Sequence, residues 1–213
     1  MTQRAERRGV PGYRTDRMEA FSDGVFAIAI TLLILEIAVP AGSEDDLLKA
    51  LTEEWPAYLA YLVSFATIGA VWLAHTVITE YLDHATSLLM RLNLLLLLVV
   101  AFLPFPTKML GEFMGEEGAE RVAATVFGIN LLLCMALVSV LWRYAVKEDL
   151  VTPDLADEDV QTLTKRLTPT LAVYVLLIAL GLFVPFAAVA GYLLLALFVI
   201  IPFGAMRRSS HTA

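Results

Sequence analysis

The stretch Arg17–Ile37, RMEAFSDGVFAIAITLLILEI, sets a serine and an aspartate, Ser22 and Asp23, near the start of a run otherwise apolar enough to cross a bilayer. An ionised carboxylate in hydrocarbon costs several kcal/mol unless it has partners, so the rest of the chain has to be searched for groups that can satisfy Asp23.

The chain has 213 residues, 59% of them hydrophobic, with a mean hydropathy of +0.74. Its apolar residues fall into long blocks, which is the pattern of an integral membrane protein. A hydrocarbon core of about 30 Å takes roughly 20 residues per helix. Six stretches satisfy that, at about 18–39, 55–80, 88–110, 119–145, 165–184 and 186–206. The expected fold is all-α, with one six-helix membrane domain over 17–206, a basic N-terminal tail over 1–16 and a C-terminal tail over 207–213. The first apolar run is as long as a span and no small-residue cleavage site follows it, so the first helix is expected to be retained.

Basic residues set the orientation. Twelve of the 15 Lys and Arg fall in the two tails and in the second–third and fourth–fifth connections; only Lys49, Lys108 and Arg121 fall on the other side. Both termini are therefore expected in the cytoplasm of a cell-membrane protein. Ten acids, including Glu36, Asp45, Asp46, Glu112 and Glu120, lie on the outer side, so the whole net charge of −7 is external. Such a field concentrates cations within a Debye length of about 8–10 Å, although ordinary solvated loops carry acids too.

Two connections read as short helices. In GSEDDLLKALTEEWPAY, Ser43 is expected to cap a short interfacial helix before the second span. In VTPDLADEDVQTLTKRL, Thr152 as cap and Pro153 at the first helical position predict a separate helix before the fifth span. FVPFAAV, around Pro185, predicts a tight hairpin between the last two spans. The lone Cys134 sits inside the fourth span, which excludes an internal disulfide or thiol metal site. No HExxH or nucleophile elbow is present, and Glu80, Asp83 and His84 read as a solvated loop, so no enzyme is expected. Nor is a cofactor or nucleic-acid partner.

Asp23, His75 and Asn93 each lie a few residues from a basic or acidic boundary on successive antiparallel spans, which puts them at similar depth. Trp72, His75, Thr76 and Thr79 share one face of the second span by their i, i+3, i+4, i+7 spacing. Ser22 and Asp23 can accept from Trp72 and His75, and Asn93 can donate and accept, so the acid is satisfiable in an inter-helix network. Such a network can lock helices together, sense pH, or bind an ion. On an ideal helix the apolar stripe of Ile28, Leu32 and Leu35, with Thr31 beside it, lies about 140° from Asp23. That stripe faces either lipid or a central axis.

The residues Arg17, Phe21, Ser22, Asp23 and Phe26 closely resemble the first-helix signature of the endosomal/lysosomal potassium channel family and its bacterial homologues. The likeness extends to six spans, with Trp72 and His75 in the second and Asn93 in the third. The resemblance implies a homotetramer in the lipid bilayer with the first helices around a pore for K⁺ and other monovalent cations. It implies a constriction at Ile28, Leu32 and Leu35, with the Thr31 hydroxyl near it. Arg17 lies about 120° around the helix from Asp23 and is expected to reach headgroups or another subunit instead. No TVGYG-type filter is present, so any selectivity has to come from the apolar neck. The rival readings are a proton-coupled secondary transporter with Asp23 and His75 as relay, which a missing inverted repeat disfavours, and a structural scaffold.

Overall fold

The computed structural model describes residues 13–39, 42, 45–153 and 155–206. Most of the two tails, with Arg4, Arg7, Arg8, Arg207 and Arg208, lies outside the described residues, as do Ser43 and Glu44. The described chain is helical throughout: α1 (Thr15–Leu32) with a 3₁₀ turn (Leu33–Glu36), α2 (Leu47–Glu53), α3 (Trp55–Glu80), α4 (Ser87–Phe102), α5 (Pro104–Phe113), α6 (Ala119–Lys147), α7 (Asp157–Gly181) and α8 (Pro185–Met206). Among the described residues, five helical segments are long and apolar enough to cross a membrane, with α4 and α5 counted as one; α8 is apolar from Pro185 to Ile201.

Three features differ from the sequence reading. The third span is not one helix. Pro104 has no amide hydrogen and its ring crowds the carbonyl four residues back, so α4 ends at Phe102 and α5 starts at Pro104 after a tightened turn, Leu103 N donating to Val100 O at 3.1 Å. The separate helix expected from Thr152 and Pro153 is absent: α7 begins at Asp157 with Ala156 as its cap and runs without a break into the fifth span. Thr152 precedes a proline, which disfavours helical backbone, and its amide donates to Tyr81 O at 2.8 Å. The short helix before the second span is present, but the cap observed is Asp46, whose Oδ1 accepts from Lys49 N at 3.2 Å.

Two isolated β-bridges, Tyr13 with Ala85 and Leu82 with Val151, gather the start of α1, the α3–α4 connection and the α6–α7 connection at one end of the bundle. The spans therefore alternate in direction. α6, about 43 Å long at 1.5 Å per residue, is the most enclosed helix and packs on α4, α5 and α7. α3 packs along α8 and α5, with Gly111 of α5 against the Ala57 backbone. α1 lies on α3 and α4 and buries only one face.

Close packing of α6 on α8 requires a glycine. A Cβ at Gly128 would overlap the buried Tyr192 hydroxyl and come within 2.8 Å of Ile178 Cγ1. Gly128→Ala is expected to destabilise the protein by about 1–3 kcal/mol in detergent unfolding. Gly69→Ala, with open space at its Cβ, is the matched control and is expected to show no loss.

Candidate functional site: the two faces of the first helix

The buried face of α1 and its 3₁₀ turn consists of Met18, Ser22, Phe26, Ala29 and Leu33. Ser22 is fully enclosed and sits in a directed chain of hydrogen bonds. Its Oγ donates to Met18 O at 2.8 Å, so it can only accept from Asn93, whose Nδ2 donates to it at 2.9 Å. That fixes the amide: Asn93 Oδ1 faces His75 Nε2 at 2.8 Å, and the ring nitrogen must carry the proton. His75 Nδ1 is buried without a hydrogen-bond partner among the described residues, and the ring lies 5.5 Å from that of Phe26. Ser22, His75 and Asn93 are each at most 2% exposed.

Asp23 is not part of this chain. It lies on the exposed surface of the subunit, and its Oδ1 accepts from Trp72 Nε1 at 2.9 Å. The network expected to join Ser22, Asp23, Trp72, His75 and Asn93 is thus two units: a buried chain and a surface pair. Consecutive helical residues diverge by about 100°, so Ser22 and Asp23 cannot both point into the α3–α4 groove. Thr76 and Thr79, on the same face of α3, join neither unit through the hydrogen bonds they donate. Their hydroxyls return to their own helix, at Trp72 O and Thr76 O.

The opposite face of the first helix is apolar and uncovered within the subunit. Ile28 is 61% exposed and Leu35 71%, with Phe21 and Leu32 also exposed. Arg17, Phe21, Gly24, Ile28, Thr31 and Leu35 are all exposed and alternate four- and three-residue steps, the 3.5-residue repeat of a helix seam shared between neighbours. This seam centres about 140° from the buried face. Over Leu33–Glu36 the chain tightens to 3₁₀, and at 3.0 residues per turn Leu35 comes to lie almost directly above Leu32. The Thr31 hydroxyl donates to Ile28 O at 2.9 Å, which leaves its oxygen lone pairs free. Arg17 makes no ion pair within the subunit among the described residues.

The sequence reading did not place Phe21 and Gly24 on this exposed face, nor Met18 O at the end of the polar chain. The seam's spacing was available in the sequence; the Met18 carbonyl carries no sequence signal.

Residues 17–104, which hold both faces of α1 and every residue of the polar chain, match the family described as endosomal/lysosomal potassium channel TMEM175. A crystal structure described as a lysosomal potassium-selective channel TMEM175 homolog from Chamaesiphon minutus superposes with a TM-score of 0.81 and 36% sequence identity, covering 89% of this chain and 97% of that one. The chain belongs to the TMEM175 family. It is a multi-helix membrane protein. A potassium channel of Streptomyces collinus is 47% identical over 132 residues, which is 62% of this chain and 64% of that protein. The endosomal/lysosomal proton channel TMEM175 of Gallus gallus is 38% identical over 140 residues, only 28% of its length.

Removing the bridging amide leaves two buried polar groups unpaired, whereas removing the indole donor frees a surface carboxylate. Asn93→Leu is expected to cost about 1–3 kcal/mol in unfolding. Trp72→Phe should cost under about 1 kcal/mol. Equal losses would show that the two units are not energetically distinct.

Proposed function

We propose that four copies of the chain assemble with their α1 seams around a common axis and form a potassium-permeable cation leak channel in the cell membrane. The observation that carries this reading is the exposed Ile28–Leu32–Leu35 stripe, held on the far side of α1 from the buried Ser22–Asn93–His75 chain. An apolar stripe at heptad spacing suits a seam between identical helices, and the family likeness favours an axis over lipid.

In this reading the three apolar residues form the neck. Such a neck closes by dewetting, and when open it strips part of the hydration shell from each ion. Na⁺ holds its water more tightly than K⁺, so a moderate K⁺ preference results without a carbonyl filter. Thr31 Oγ1, its proton committed to Ile28 O, offers a lone pair to the partly dehydrated ion. Both termini face the cytoplasm by the distribution of Lys and Arg. The acidic outer connections then raise cation concentration at the mouth. The transporter reading needs a relay from Asp23 to His75, and these residues bond to different partners, Trp72 and Asn93.

The test is ion flux into liposomes under opposed K⁺ and Na⁺ gradients. A reversal potential displaced toward that of K⁺ is expected, and Ile28→Asn should raise conductance several-fold by wetting the neck. A scaffold would pass no current in either form, and a coupled transporter would give saturable flux with no such reversal potential.

A further inference from the structure

Side-chain contacts fix the register of α6 against α7. Trp142 Nε1 donates to Thr164 Oγ1 at 2.8 Å, a Cβ at Gly128 would lie 2.8 Å from Ile178 Cγ1, and one at Gly181 would lie 3.9 Å from Ala124 Cβ. In antiparallel helices these pairs set Arg143 level with Leu163. Its guanidinium nevertheless reaches Thr168, Nη2 donating to Oγ1 at 2.9 Å. That is about 7.5 Å farther from the α6–α7 connection, and about 12 Å inside the membrane segment that starts at Val160.

An arginine near the end of a span ordinarily extends toward water, and Arg143, one turn before the end of α6, is placed to do so. Two hydroxyls hold this end of the groove instead. Thr164 Oγ1 donates to Val160 O at 2.8 Å and Thr168 Oγ1 to Thr164 O at 3.2 Å, so each is left to accept, one from Trp142 and the other from Arg143. The partner of the guanidinium is thus neutral. Among the described residues no carboxylate pairs with Arg143, Lys147 or Lys165. The acidic start of α7, Asp157–Asp159, is about 14 Å or more along the helix from Thr168, and Glu148 and Asp149 follow the end of α6 on its water side. Arg143, Lys165 and Thr168 are all exposed, so the rest of the donor fork faces out of the bundle. A cation held at this depth by a neutral hydroxyl calls for an anion.

We propose that Arg143 and Lys165 bind the phosphate of an anionic phospholipid in the groove between α6 and α7, in the leaflet that holds the α6–α7 connection. A planar guanidinium matches a phosphodiester with two parallel N–H bonds. Lys165 lies about 60° around α7 from Thr168, and Lys147 one turn beyond Arg143 on α6, so further cations flank the phosphate on its water side. Exposed Ala172 and Val175 continue the Thr168 face toward the bilayer centre and take an acyl chain. A dissolved anion does not reach this depth, so a lipid supplies the phosphate. A choline or ethanolamine headgroup would bring its own cation against Lys165 and Lys147, which favours phosphatidylglycerol. α7 packs on α6 and α8, so binding here is independent of whether the α1 seam lines a pore.

The experiment is native mass spectrometry of the full chain in detergent, with dioleoyl phosphatidylglycerol or dioleoyl phosphatidylcholine added. Phosphatidylglycerol is expected to bind about tenfold more tightly, the scale of one charge-assisted hydrogen bond. Arg143→Gln, which keeps a donor for Thr168, should remove that preference, whereas Arg91→Gln, at an exposed cation near the same end of α4, should leave it unchanged. The proposal is overturned if the two lipids bind alike, if Arg91→Gln weakens binding as much as Arg143→Gln, or if glycerol phosphate competes as well as the lipid, which would mark a site for a dissolved anion. In liposomes, phenylglyoxal should modify Arg143 in phosphatidylcholine and be excluded from it in phosphatidylglycerol. Protection in both lipids, as a second copy of the chain seated on this face would give, or in neither, also overturns it. The comparison of the two lipids needs no variant, so it decides the matter even if the substitution impairs folding.

Discussion

The amide of Asn93 sets the rotation of the first helix about its own axis. In water, burying the more apolar face would do this, but lipid tails are as apolar as a neighbouring helix and give no such preference. Phe26, Ala29 and Leu33 on one side of the first helix, and Ile28, Leu32 and Leu35 on the other, are similar in hydrophobicity. What distinguishes the two sides is Ser22, which has to meet the one side chain able to donate to it and at the same time accept from His75. Turning α1 away would strand polar groups where nothing replaces their partners.

A second restraint acts at the start of the same helix. Tyr13 exchanges two backbone hydrogen bonds with Ala85, at 2.8 and 2.9 Å, while the adjoining Leu82 pairs with Val151. The first helix is thus tied at its beginning to the α3–α4 connection and, through it, to the end of α6. Beyond Ala29, among the described residues, it is held by packing, with Leu33 buried and the helix tightening to 3₁₀. The part of α1 that carries Thr31, Leu32 and Leu35 is therefore the part with fewest directional contacts, which is where movement of the stripe would be least costly.

Much of this architecture is legible in the sequence because membrane helices must satisfy their own backbones, so apolar length alone locates them. The six apolar blocks follow from that rule; the similar depth expected of Asp23, His75 and Asn93 follows from where each lies relative to the end of its span, and it is Asp23's neighbour Ser22 that joins the other two. The division of the polar residues into a buried chain and an Asp23–Trp72 surface pair is not legible in this way. It depends on how α1 is turned against α3 and α4, and periodicity within one helix is silent about its neighbours. The break at Leu103–Pro104 was readable from the proline but hidden by the unbroken hydropathy around it. The start of α7 at Asp157 was partly readable, since Thr152 precedes a proline, but the pairing of the Thr152 amide with Tyr81 O leaves no local signature.

Scanning single cysteines along α1 in a Cys134→Ala background, with oxidation in native membranes, tests most directly whether the face opposite Asn93 is shared between subunits. Disulfide-linked dimers are expected at Gly24, Ile28, Thr31 and Leu35 and absent at Ala27, Ile30 and Ile34. Cross-links that favour Ala27, Ile30 and Ile34, or none anywhere along the helix while the subunits remain folded, would contradict a shared axis beside this stripe.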